Sequence, residues 1–125
     1  MGDWSREPWG NDEAADWFHV FWKKNDISLL IKEIEDFSPK DERYDSIRAA
    51  CYLLQTIGIV YVWPVRHRDI LKDLLKKSIE ILTNMIVPPD EDWSFLDMWG
   101  NDAEVIKAVE SQIEILKVRL FEIKN

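Results

Sequence analysis

From residue 106 onward, Ile106, Val109, Ile113, Leu116, Leu120 and Ile123 recur at intervals of three and four. That is the period of an α-helix that buries one stripe and wets the other. The same spacing returns at Ala14, Trp17, Phe18, Phe21 and Trp22, and again at Ile27, Leu30, Ile31, Ile34 and Phe37. One segment speaks for a strand: Ile59-Val60-Tyr61-Val62-Trp63 is rich in β-branched and aromatic residues. A lone strand has nothing to pair with, and no second strand-like run exists, so this stretch is expected to be a buried extended connector. The chain is therefore expected to be all-α.

Start and stop signals divide it into five main helices, over residues 12–24, 27–37, 39–58, 66–86 and 102–123. Asn11 and Asp12 suit the free N–H groups of a first turn, and Asp26 is placed to cap the second helix. Ser38-Pro39-Lys40-Asp41 has the form of a further helix start, with proline where its missing N–H costs nothing. Gly58 is placed as a C-terminal cap, Pro88-Pro89 stop the fourth helix, and Asn101-x-x-Glu104 has the spacing of a capping box. The central helix carries Tyr44, Ile47, Cys51 and Leu54 inward. The expected core is Trp17, Phe21, Leu30, Ile34, Ile47, Cys51, Leu54, Leu74, Ile81, Ile113 and Leu116.

At 125 residues the chain suits one domain, a single bundle spanning residues 1–125. Residues 1–10 form a Trp-rich lead-in that should pack on the bundle, and residues 87–101 an acidic, Trp-containing connector. The tetrapeptide Trp9-Gly10-Asn11-Asp12 returns as Trp99-Gly100-Asn101-Asp102, each time just before a helix. Aromatic anchor, permissive glycine and polar cap explain it without an internal repeat.

The opening also resembles a family. Gly2-x-Trp4, followed by Asn11-Asp12-x-Ala14-x-Asp16-Trp17, is similar to the start of a family of small bacterial proteins of unknown function. Those chains begin Met-Gly-x-Trp-Gly and continue Phe-x-Asn-Asp-x-Ala-x-Asp with Trp or Phe. Here Ser5 and Glu7 stand where the family tends to have glycine, and Trp9 where it has Phe. The family carries no assigned activity, so the resemblance implies the helical fold alone.

Charge narrows the functional classes. The net charge is −8, with −6 on residues 1–45, +3 on residues 46–88 and −5 on residues 89–125. Acidic ends disfavour nucleic acid, whose binding relies on Lys and Arg neutralising phosphates. The basic run Arg66-His67-Arg68 to Lys76-Lys77 is interrupted by Asp69 and Asp73 and suits a solvated helix face. The four scattered glycines make no phosphate loop, so no cofactor is expected. One cysteine, Cys51, excludes an internal disulfide and suits a small core residue. No leader or membrane span is expected, and the expected localisation is cytoplasmic.

Two functional readings follow. The first is a non-catalytic protein-binding module, in its most specific form an immunity- or antitoxin-like inhibitor whose acidic surface steers it to a basic partner. Trp4, Trp9, Asn11, Asp12, Asp16 and His19 are its candidate binding residues. The second is a small hydrolase or metal-dependent enzyme using Asp12, Asp16 and His19, since two carboxylates one helical turn apart can divide acid and base roles. A homodimer pairing through the seam of the last helix is a third expectation.

Overall fold

A computed structural model describes residues 6, 8, 10–24, 27–60 and 62–123, with side chains left undescribed at residues 18, 19, 21–24 and 65. The described residues contain no strand. They form a single bundle of helices α1 (Asp12–Lys24), α2 (Ser28–Glu35), α3 (Tyr44–Ile57), α4 (Arg68–Ile86), α5 (Phe95–Met98) and α6 (Ala103–Ile123). Helix α3 packs against α1, α2, α4 and α6, and the most extensive pairing is between α4 and α6.

Burial of α3 runs around most of its circumference. Ten residues are inside, from Tyr44 through Ser46, Ile47, Arg48, Ala49, Ala50 and Cys51 to Leu53, Leu54 and Gln55. The expected core positions with described side chains are all buried, from Trp17 to Leu116; Phe21 lies outside the described side chains. Along α6 the buried stripe is Val105, Val109, Gln112, Ile113 and Leu116. Ile106, Leu120 and Ile123 are only half-buried, because a straight helix drifts relative to any fixed repeat.

Several boundaries differ from expectation, each for a local reason. The helix expected over 39–58 is two pieces. Pro39–Asp41 form a separate 3₁₀ turn, and Glu42 then takes a left-handed conformation (φ 55°) before α3 begins. That break lets Tyr44 enter an aromatic group with Phe37, Trp93 and Phe95, at centroid separations of 5.6–6.5 Å. The Tyr44 hydroxyl accepts from Ser94 N at 3.0 Å and lies 3.1 Å from the Pro39 carbonyl oxygen, tying the acidic connector down. Ser38 makes no side-chain cap, and neither does Ile27, which stands at the N-cap of α2. Asp26, expected there, lies outside the described residues. Helix α4 starts at Arg68 because Val65–His67 form a 3₁₀ turn of their own.

The segment expected as a buried extended connector is a turn. Val62 N and Trp63 N both donate to the Ile59 carbonyl at 2.8 Å, leaving Val62 58% exposed and Trp63 buried. The Trp63 indole N–H donates to the His67 carbonyl at 2.8 Å and fixes the approach to α4. Gly58 does cap α3, but at φ −79° its need is for space: a Cβ would collide with the Leu54 carbonyl oxygen.

The repeated tetrapeptide opens its two helices one residue out of step. Asn11 Oδ1 accepts from Ala14 N at 2.8 Å, so Asn11 is the cap of α1. In the second copy Gly100 and Asn101 are both left-handed, and Asn101 N donates to the Leu96 carbonyl, closing α5. The cap of α6 is then Asp102, whose Oδ1 accepts from Glu104 N at 2.8 Å. The expected Asn101–Glu104 capping box does not form.

Truncation of Leu54 or Ile113 to alanine should cost about 2–5 kcal/mol in chemical denaturation, given their burial. A loss below about 1 kcal/mol at both positions contradicts this packing.

Candidate functional site

Three of the six expected site residues, Asn11, Asp12 and Asp16, have described side chains. Trp4 and Trp9 lie outside the described residues, and His19 is on α1 with its side chain undescribed. Asn11 is buried and holds the helix start. Asp12 is exposed in the first turn of α1, where an acid complements the helix dipole. Asp16 stands on a described cavity. The pair Asp41 and Asp45, one turn apart in sequence, falls on two different elements. Among the described residues no group of three or more His, Cys, Asp or Glu side chains could hold a metal ion.

Asp16 sits on a groove of about 410 Å³ built by three elements. Helix α1 contributes Glu13, Asp16, Trp17 and Val20, α2 contributes Leu29 and Glu33, and the start of α3 contributes Arg43 and Ser46. Trp17, Val20 and Leu29 are the apolar part of its lining, and Glu13, Asp16 and Glu33 the acidic part. A second cavity of about 340 Å³ shares Leu29, Glu33 and Arg43 and adds Lys32, Asp36, Phe37, Ser38 and Asp41. Glu33 and Arg43 thus form the saddle between the two.

The saddle is a two-pronged ion pair. Arg43 Nε donates to Glu33 Oε2 and Arg43 Nη2 to Oε1, both at 3.0 Å, while Trp17 Nε1 donates to Oε1 at 3.1 Å. The Glu33 side chain is 9% exposed and that of Arg43 52%. The bond to Glu33 holds the Arg43 guanidinium above the ordinary arginine range, against an opposing desolvation. From sequence Glu33 belongs to the outer side of α2. The partner that covers it lies ten residues on, across a turn whose direction depends on the left-handed Glu42.

Helix α3 has no side-chain cap of its own, and Glu13 of α1 supplies one. Glu13 Oε2 accepts from Ser46 N at 2.7 Å and also from the Ser46 hydroxyl. A carboxylate at the third amide satisfies an otherwise free donor and meets the positive end of the dipole. One acid therefore both lines the groove and holds the helix that forms its far wall.

Two nucleophilic side chains are held away from solvent. The Ser46 hydroxyl serves Glu13, and its residue is 1% exposed. Cys51 is fully buried, and burial pushes its thiol up to about 12, partly opposed by the adjacent Ser78 hydroxyl. The basic run lies outward at Arg66, in the turn before α4, and at Arg68, Lys72 and Lys76 on α4, as a solvated face does.

Compared with known protein families, curated proteins and solved structures, the chain matches none.

Asn11→Ala should lower stability by about 0.5–2 kcal/mol, since a buried cap is lost. Thermal or urea unfolding checks this, and unchanged stability would show that Asn11 has no capping role. The Cys51 thiol should resist thiol reagents in the native protein and react on unfolding. Its raised value also has a sign. The unfolded thiol ionises near 9.0 and the folded one near 12, so the contribution is intact below 9.0 and is lost as pH rises through that window. Cys51→Ala should remove up to about 1.4 kcal/mol per pH unit of alkaline slope; an identical slope in the variant refutes the assignment.

Proposed function

We propose that this protein is a non-catalytic binding module that takes a basic segment of a partner protein in the groove between α1, α2 and the start of α3. The observation that supports it is the make-up of that groove. Apolar Trp17, Val20 and Leu29 line it together with the acids Glu13, Asp16 and Glu33. Such a surface suits the side chains of Lys and Arg, which bury an aliphatic stem and keep a charged head among acceptors. The net charge of −8 adds long-range attraction for a basic partner. The poor placement of Ser46 and Cys51 as nucleophiles favours binding over catalysis. In its most specific form the module is an immunity- or antitoxin-like inhibitor that covers a basic partner. The opening motif is then a helix-start and anchoring device, with the binding surface beside it.

No helix among the described residues is long and apolar enough to cross a membrane. The seam that suggested a homodimer is used within the chain, where Val109, Ile113 and Leu116 are buried. The exposed apolar residues of α6 are Ile115, Val118 and Phe121.

A fluorescent Arg- and Lys-containing peptide series should bind the protein, with affinity falling steeply as salt is raised. Asp16→Lys should weaken binding about tenfold or more, whereas Glu110→Lys on remote α6 should change it less than about threefold. Equal losses from both would reduce the effect to net charge, and no binding at low salt would contradict the proposal.

A further inference from the structure

Arg43 treats Glu33 as an incoming arginine would. We infer that the Glu33 carboxylate is the receptor for an arginine side chain of the partner, and that Arg43 holds that position in the free protein. The inference rests on the basic-partner reading above and assigns it a specific ligand chemistry.

Three features carry it. First, the carboxylate is set deep, with only 9% of its side chain exposed, and Trp17 Nε1 orients it through Oε1. Both of its oxygens are offered toward the saddle, where Arg43 engages them through Nε and Nη2. That geometry matches the planar fork of a guanidinium, and an ammonium cannot span it.

Second, Arg43 is able to leave. Its side chain is 52% exposed, and it lines both cavities together with Glu33 and Leu29. The fold at that point does not depend on the side chain. Helix α3 is capped by Glu13 on Ser46, and its first turn closes through Ile47 N to the Arg43 backbone carbonyl at 2.9 Å.

Third, a second seat exists. Asp36 and Asp41 line the smaller cavity together with Arg43, and Asp41 already acts on the guanidinium electrostatically. A displaced Arg43 moves toward those acids while the partner's arginine takes Glu33, so neither carboxylate site is left without a cation. One half-exposed ion pair is exchanged for another, and the net gain comes from the apolar stem laid on Leu29 and Trp17. Charge reaches the groove from each surrounding element: Glu13 and Asp16 from α1, Glu33, Lys32 and Asp36 from α2 and its end, Asp41 and Arg43 from the turn into α3.

The test uses the full chain with methylguanidinium and methylammonium as probes, so it needs no knowledge of the partner. The Trp17 indole N–H resonance, bonded to Glu33, is the reporter. In Arg43→Ala, methylguanidinium should shift that resonance saturably and raise the melting temperature, at least about fivefold more tightly than methylammonium. Wild type, with the site already filled, should bind at least about fivefold more weakly, and Glu33→Gln combined with Arg43→Ala should abolish the effect. Arg43→Gln repeats the measurement with a side chain of intermediate length. Absence of a saturable shift in Arg43→Ala, or an equal shift in the double variant, overturns the inference. Failure of both position-43 variants to fold overturns it as well, because Arg43 could then never vacate Glu33. Failure of the basic-peptide titration, with methylguanidinium still bound, would instead count against the binding-module reading alone.

Discussion

Helix α3 is buried nearly all round, yet it carries Ser46, Arg48 and Gln55 among its ten interior residues, and this constraint organises the bundle. Buried polar groups must find partners or cost stability. Arg48 Nε donates to Gln112 Oε1 at 2.9 Å, and Gln112 Nε2 returns the bond to the Arg48 carbonyl at 3.1 Å and also donates to Gln55 Oε1. Arg119 Nε donates to the Gln55 carbonyl at 2.7 Å. These contacts fix α6 against α3 in one rotation and one register, which apolar packing alone would leave less defined. Arg48 Nη2 also donates to the Arg6 carbonyl at 3.0 Å, and Arg6 reaches Asp102 and Glu104 at the start of α6. Arg6 is thereby held over the junction of the two helices. Those outer ion pairs are exposed and screened by salt, so the buried bond carries more of that anchoring.

The same helix places the candidate site. Its first turn meets Glu13, its preceding residue Arg43 meets Glu33, and its first aromatic, Tyr44, draws in the connector through Trp93 and Phe95. The groove exists because α1 and α2 approach the start of α3 closely enough to cap and cover it. Binding chemistry and the capping of α3 are therefore not separable at Glu13.

What the sequence disclosed was whatever depends on local period. The stripe of α4 at Leu71, Leu74, Ser78, Ile81 and Leu82 and the core positions of α3 are legible from spacing, and so is the interior place of Cys51. Less legible was anything decided by a partner far along the chain. Gln112 falls between the apolar positions of its seam and gives no sign of facing Arg48, sixty-four residues away. Glu33 has the spacing of a solvated residue because its cover arrives through the left-handed turn at Glu42. The form of residues 59–63 was hidden for the same reason: a turn that buries Trp63, anchored on His67, and packs Val60 against the core satisfies the segment without extension.

Native-state hydrogen exchange resolved along α3 tests the central role of this helix most directly. The amides of Arg48 through Gln55 should exchange only through global unfolding, with opening free energies equal to the stability from denaturant titration and among the highest in the chain. Truncating Gln112 should lower them together with those on the facing turns of α6. Exchange from α3 by local opening, well below the global free energy and insensitive to Gln112, would contradict the account.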